Sequence, residues 1–244
     1  MTNWDDYCSR FLNTYLKPGH KEAMNTLTPL LQQAVAEWSQ QDETWLADAL
    51  QDEHRKWFAV EVISLIQAPI PEVLFHALIR AAIYEVNPSL NREFIRPCEK
   101  SDGLSRVGRA LLDYFQRGTN YEKSGAANAL YWATPDISYN REKKRHKSMT
   151  TIPASDDEIA FWLEQKQLFL QEFVVNTDLD VQRSLIPKLE LQNKEVYPEA
   201  LQPLVDEAIR IARSHPDDYI RNRVEVQLGN SVLLPALPHR KKHE

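Results

Sequence analysis

Apolar residues recur at steps of three and four along nearly the whole chain, and that spacing fits one kind of element. In "PEVLFHALIRAAIYEV" (71–86), Val73, Leu74, Leu78, Ala81, Ala82 and Ile83 share one broad face of a helix. In "GLSRVGRALLDYFQRG" (103–118), Leu104, Val107, Leu111 and Tyr114 step by three, four and three. Strict alternation over more than four residues is hard to find, so strands are not expected. Glycine is scarce, six against 14 prolines, and hairpin turns depend on it. With 244 residues, 43% hydrophobic and 26% charged, the chain is long enough to bury a core as one large domain or two small ones.

The punctuation is helical too. Pro71, Pro88 and Pro216 fall where first turns are expected, and there a missing N–H costs nothing. "SDDE" places Ser155 three residues before Glu158, a capping-box pattern. Asp178 and Asp217 open acidic first turns, which suit the helix dipole. Breaks at "IQAPIP", "EVNPS", "FQRGTN", "VNTD" and "RSHPDD" are short, so successive helices of roughly 12 to 20 residues pack as antiparallel neighbours.

The chain also matches itself. "TDLDVQRSLIPKLEL" (177–191) lies over "DDYIRNRVEVQLGN" (217–230) at an offset of 39, with Val181 on Ile220, Leu185 on Val224 and Leu189 on Leu228. "PSLNREFIRPC" (88–98) joins at an offset of 91, with Leu90 on Val181, Arg92 on Arg183, Phe94 on Leu185 and Ile95 on Ile186. "EHRKWFAVEVI" (53–63) enters with Phe58 on Leu185, and "NYEKSGAANAL" (120–130) with Lys123 on Arg183. Each unit reads as a polar or acidic turn, a basic residue, then an apolar helix. This pattern resembles the HEAT and armadillo helical repeats over roughly residues 42–230.

The resemblance implies an all-α fold, a right-handed α-solenoid of HEAT-like helix pairs in a single domain. Residues 1–41 would form N-terminal capping helices and 42–133 the first repeats. Residues 134–155 would be a basic inserted loop, 156–230 further repeats and 231–244 a flexible tail. The insertion accounts for the gap of 60 between the anchors Gly125 and Leu185, where the other anchors lie 31 to 39 apart. Neighbouring pairs in such a stack bury each other's apolar faces. The family binds through its concave, inner-helix surface. The function implied is a non-enzymatic, protein-binding adaptor or inhibitor, with immunity-type proteins that neutralise a toxin among its relatives. Two other members of the wider class are kept: a DNA glycosylase acting on alkylated bases, and a lyase or chaperone for a chromophore-bearing protein.

Charge selects the partner. The net charge is −6, but Arg141–Lys147 and His239–Glu244 hold +4 and +2, leaving −12 on the body. Such a body repels phosphate backbones, so nucleic acid is disfavoured and a basic or neutral protein is expected. The same charge opposes the glycosylase reading, although "ALYWATPD" offers Tyr131, Trp132 and Asp136 together.

A ladder of bases runs through the inner helices, Arg55, Arg92, Lys123, Arg183 and Arg223; it reads as structural pairing with Asp52, Asp180 and Asp218, acids of neighbouring turns, and alternatively as a stripe of binding residues. Lys143, Lys144 and Arg145 of the inserted loop join the ladder as contact residues. No catalytic residue, metal ligand set or cofactor motif is read: HExxH, Cys/His clusters, GxSxG and a glycine-rich phosphate loop are missing from the sequence. His76, between Phe75 and Ala77, is expected to be a satisfied interior or boundary residue. Cys8 and Cys98 are expected to be reduced packing thiols. No run approaches the roughly 20 apolar residues of a membrane span, and the acidic, polar start has no signal-peptide character, so the chain is expected in the cytoplasm.

Overall fold

The computed structural model describes residues 2–67, 69–134 and 155–230. The basic stretch from Tyr139 to Thr151 and the tail from residue 231 lie outside the described residues. Among those described there are eleven α-helices and no strand. The chain forms two compact units, Met1–Leu111 and Leu112–Glu244.

The first unit holds α1 (Trp4–Thr14), α2 (His20–Ala36), α3 (Gln40–Ala49), α4 (Arg55–Ser64), α5 (Glu72–Tyr84) and most of α6 (Asn91–Arg117). Helix α1 packs on α2 and α4, and α3 packs on α4 and α5. Trp4, Phe11, Trp45 and Phe58 interlock at the centre, with Trp4 stacked on Trp45 at 6.2 Å and Phe11 and Phe58 tilted together at 5.6 Å. Such ring pairs add about 0.5–1.5 kcal/mol each beyond burial. The indole Nε1 of Trp4 donates to Asp42 Oδ1 at 2.7 Å, while Asp42 Oδ2 accepts from the N–H and hydroxyl of Ser39. One carboxylate therefore caps α3 and ties it to α1. Helix α5 is buried on nearly every side, as its run of Leu, Phe, Ile and Ala dictates. Val73, placed on the apolar face by spacing alone, is 47% exposed, and Phe75 takes the buried position instead. Helix α6 leaves helical dihedrals at Gly103, whose φ of 81° is open to glycine at little cost.

The second unit holds the end of α6, α7 (Asn120–Ala133), α8 (Asp156–Val175), α9 (Leu179–Leu185), α10 (Gln202–Ser214) and α11 (Asp218–Gln227). Short 3₁₀ turns at Ile186–Lys188, Lys194–Val196 and Glu199–Leu201 link α9 to α10. Helices α7, α9 and α11 touch in succession, while α8 packs on α10. The pairs α8–α9 and α10–α11 join these two rows. Buried Ser124, Gly125, Ala126, Ala127 and Ala129 give α7 a small-residue face, which lets α9 approach closely. Phe115 and Phe169 meet edge to face at 4.8 Å in the core.

Expected caps and breaks are present where the chemistry is local. Ser155 and Glu158 form the capping box of α8, and Asp178 and Asp217 accept from first-turn N–H groups of α9 and α11. The prolines sit earlier than expected. Pro71 is the N-cap of α5, and Pro88 and Pro216 lie in the turns before α6 and α11. Helix lengths depart as well: α9 has only seven residues, because Pro187 offers no N–H to continue it and the chain tightens into a 3₁₀ turn. The repeat anchors Phe58, Phe94, Gly125, Leu185 and Val224 are all buried. Leu90, aligned with Val181, is 37% exposed instead.

Candidate functional site

The basic ladder is where sequence and geometry meet. In the first unit Arg55 faces outward: its Nε lies 3.7 Å from Asp52 of its own turn, and its guanidinium sits over the Trp45 ring at 5.6 Å. The enclosed base is its neighbour. Lys56 Nζ donates to Glu85 Oε2 at 2.6 Å, and the Glu85 side chain is only 3% exposed. Glu85 Oε1 accepts from the Asn87 N–H at 2.8 Å, so the carboxylate fixes the turn between α5 and α6. Arg92 is exposed in the first turn of α6.

In the second unit two ladder residues are held by acids of other helices. Lys123 on α7 donates to Glu172 on α8 at 2.6 Å, and Arg183 on α9 donates to Asp217, the cap of α11, at 2.5 Å. The expected acids fall differently. Asp52 serves its own turn, where hydrogen bonds from the Arg55 N–H, and secondarily from His54, hold its carboxyl below the usual range against the pull of burial. Asp180 contributes its carbonyl, which accepts from Ser124 Oγ. Asp218 pairs with Arg221 on its own helix, and its predecessor Asp217 makes the contact to Arg183. Burial works to raise the Asp217 carboxyl, but Arg183 and the Ile220 N–H outweigh it and hold the carboxyl low.

Arg223, the last ladder residue, stands apart. Among the described residues no carboxylate pairs with it, and its Nε is buried with no hydrogen-bond partner. Its guanidinium lies 6.0 Å from the Tyr219 ring centroid. On the 186–188 turn, which packs against α11, is Lys188, a base outside the ladder spacing. Its ammonium donates to Asn128 Oδ1 at 3.1 Å and to the Ser184 carbonyl. Burial, helped by the positive charges of Lys166 and Arg223, pushes the Lys188 amine down to about 7. Lys166 donates to the Lys188 carbonyl and to Glu190 Oε1, at 2.6 and 2.9 Å. Lys143, Lys144 and Arg145, the loop candidates, lie outside the described residues.

Other chemistry-bearing groups are accounted for by the fold. Burial raises the Cys8 thiol to about 11 and pushes Cys98 higher still, so both are poor nucleophiles. His76 is on the surface rather than inside, 2.9 Å from Glu72. No group of three or more His, Cys, Asp or Glu side chains among the described residues is placed to hold a metal ion. A cleft of about 230 Å³ beside Ile63, Ile70, Pro97 and Lys100 is smaller than the roughly 300–1,000 Å³ of ordinary small-molecule sites. Tyr131 is 68% exposed, with the Trp132 ring edge-on behind it at 4.9 Å. Asp136, read with them in the sequence, lies outside the described residues. No described helix is long and apolar enough to cross a membrane. No protein family, curated protein or solved structure matches this chain.

Proposed function

We propose that this chain is a non-enzymatic protein-binding adaptor or inhibitor, built as a right-handed α-solenoid of HEAT-like helix pairs, whose partner is a basic or neutral protein. The observation that carries this reading is the internal pairing of three bases, two of them from the ladder and the third, Lys56, beside it. Lys56, Lys123 and Arg183 are each held by an acid of the same unit, so these cations are committed to the fold. Each of these pairs neutralises an acid as well as a base, so the net negative charge of the body is untouched, and complementary fields speed encounter with a basic partner. The two-row packing of α7, α9 and α11 against α8 and α10 supports the helix-pair architecture. Exposed Tyr131, backed by Trp132, is the aromatic anchor type that dominates protein interfaces.

The experiment is affinity capture with the full chain, identification of the partner by mass spectrometry, and titration of the purified pair. A saturable one-to-one complex with a basic protein, weakened by salt and by Tyr131→Ala, is expected. Retention of nucleic acid alone, or turnover of a small molecule without any protein partner, would overturn the reading.

A further inference from the structure

We propose that Lys188 and Arg223 form a binding site for a small, doubly charged oxyanion of the phosphate class. The two residues come from separate elements that the fold pins together. Gln227 Nε2 on α11 donates to the Pro187 carbonyl at 3.1 Å, which seats that helix on the 186–188 turn. Arg223 lies four residues before Gln227, on the same face of α11, and Lys188 directly follows Pro187. Arg223 is thereby placed on the face of α11 that packs against the 186–188 turn, and its positive charge is felt at Lys188.

Two cations with no carboxylate between them are an unusual thing to enclose. Lys56, Lys123, Lys166 and Arg183 each have an acid in hydrogen-bond contact, whereas the acceptors of Lys188 are an amide oxygen and a carbonyl, both uncharged. Glu190 is engaged by Lys166. Arg223 keeps a buried donor, Nε–H, with nothing to receive it; Arg183 Nε is buried and unmatched too, but the charge of Arg183 is met by Asp217, and that of Arg223 by no acid among the described residues. Buried polar atoms are rarely left unmatched, and such an atom points to a missing group. The Nε edge of a guanidinium is one side of the fork that grips two oxygens of a phosphate. Arg223 is only partly buried, so the ion has a route in from solvent. Two positive charges match a dianion better than a carboxylate. Charge-assisted bonds from both would relieve the mutual repulsion of Lys188, Arg223 and Lys166.

The test uses the full chain and calorimetric titration at pH 8, with orthophosphate, methyl phosphate and sulfate as probes at constant ionic strength. Saturable binding at one site is expected, and Arg223→Lys, which keeps the charge but loses the fork, should weaken it by about tenfold. Lys188→Met should weaken it similarly and abolish proton uptake. Sulfate does not titrate in this range, so any proton taken up when it binds comes from the protein, whose Lys188 amine is mostly neutral at that pH. Equal binding of methyl phosphate supports the site and marks phosphomonoesters as its source. Binding of orthophosphate without the ester supports it and marks the free ion. The proposal fails if no probe saturates, or if both variants, shown folded by circular dichroism, bind as the parent does.

Discussion

Arg55 and Lys56 are adjacent in sequence and opposite in role. Helix α4 turns by about 100° per residue, so one base meets solvent and Trp45 while the other reaches the buried Glu85. Removing Lys56 leaves a carboxylate enclosed with one backbone N–H for company. Loss of one partner of a buried pair typically costs about 3–5 kcal/mol. Lys56→Met is therefore expected to lower the urea midpoint strongly. Arg55→Ala, which removes an exposed contact, should cost about 0–1 kcal/mol. Equal effects of the two substitutions would show that the pairing is not what holds this turn. "EHRKW" announces that a base opens α4, and nothing in those five letters says which one turns inward. That decision belongs to the packing of α4 on α1 and α3. Lys188 is illegible for a related reason: Pro187 breaks the helical spacing that defines the ladder, so the base after it falls outside the pattern.

At the scale of elements, the turn between α10 and α11 gathers most of its polar contacts within a few residues. Asp217 caps α11 through the Ile220 N–H and pairs with Arg183, its own N–H donates to His215 Nδ1 at 3.0 Å, and Arg221 donates to the His215 carbonyl. The His215 ring must be neutral to accept that bond. Burial, aided by Arg221 and Arg183 and opposed by Asp217, pushes its pKa below the usual 6.5. The unfolded chain thus binds the proton more readily, and stability falls as pH drops from 6.5 toward the folded value. Asp217 adds a second loss further into acid, because its folded carboxyl also titrates below its usual value. His215→Asn supplies a non-titrating acceptor two residues before the same N–H and is expected to flatten the first of these losses in thermal melts between pH 7 and 5. Asp217→Asn keeps a capping side chain and removes the charge, for an expected cost of about 1–3 kcal/mol. An unchanged pH profile in His215→Asn would place the acid sensitivity elsewhere. Caps such as Ser155, Asp178 and Asp217 were readable because capping is chemistry between residues two or three apart. The shortness of α9 is a local effect too, but Pro187 lies inside a stretch that matches the repeat, and that match hides its role as a stop.

Over the whole molecule, the all-helical class followed from apolar spacing and scarce glycine; at the offset of 39, Val181 with Ile220 and Leu185 with Val224 are buried on both sides, whereas Leu228, matched to the buried Leu189, is half-buried. Long-range acid–base pairing was foreseeable only in kind, since Glu172 and Glu85 bear no fixed sequence relation to the bases they meet. The sum of charges is the property that separates the functional readings. A chain with −12 outside its two basic segments is expected to lose at long range what Arg141–Lys147 gains at contact. Non-specific DNA binders reach dissociation constants of about 10⁻⁴–10⁻⁶ M at physiological salt and bind far more tightly as salt falls. In a gel-shift assay at low salt with a duplex of a few tens of base pairs, this chain at about 10 µM should leave the duplex unretarded, well above the concentration a groove-binding enzyme would need. A retarded complex that fades with added salt would reverse that conclusion. It would mean that the positive segments dominate the field seen by DNA, and would return Tyr131 and Trp132 to consideration as base-stacking residues.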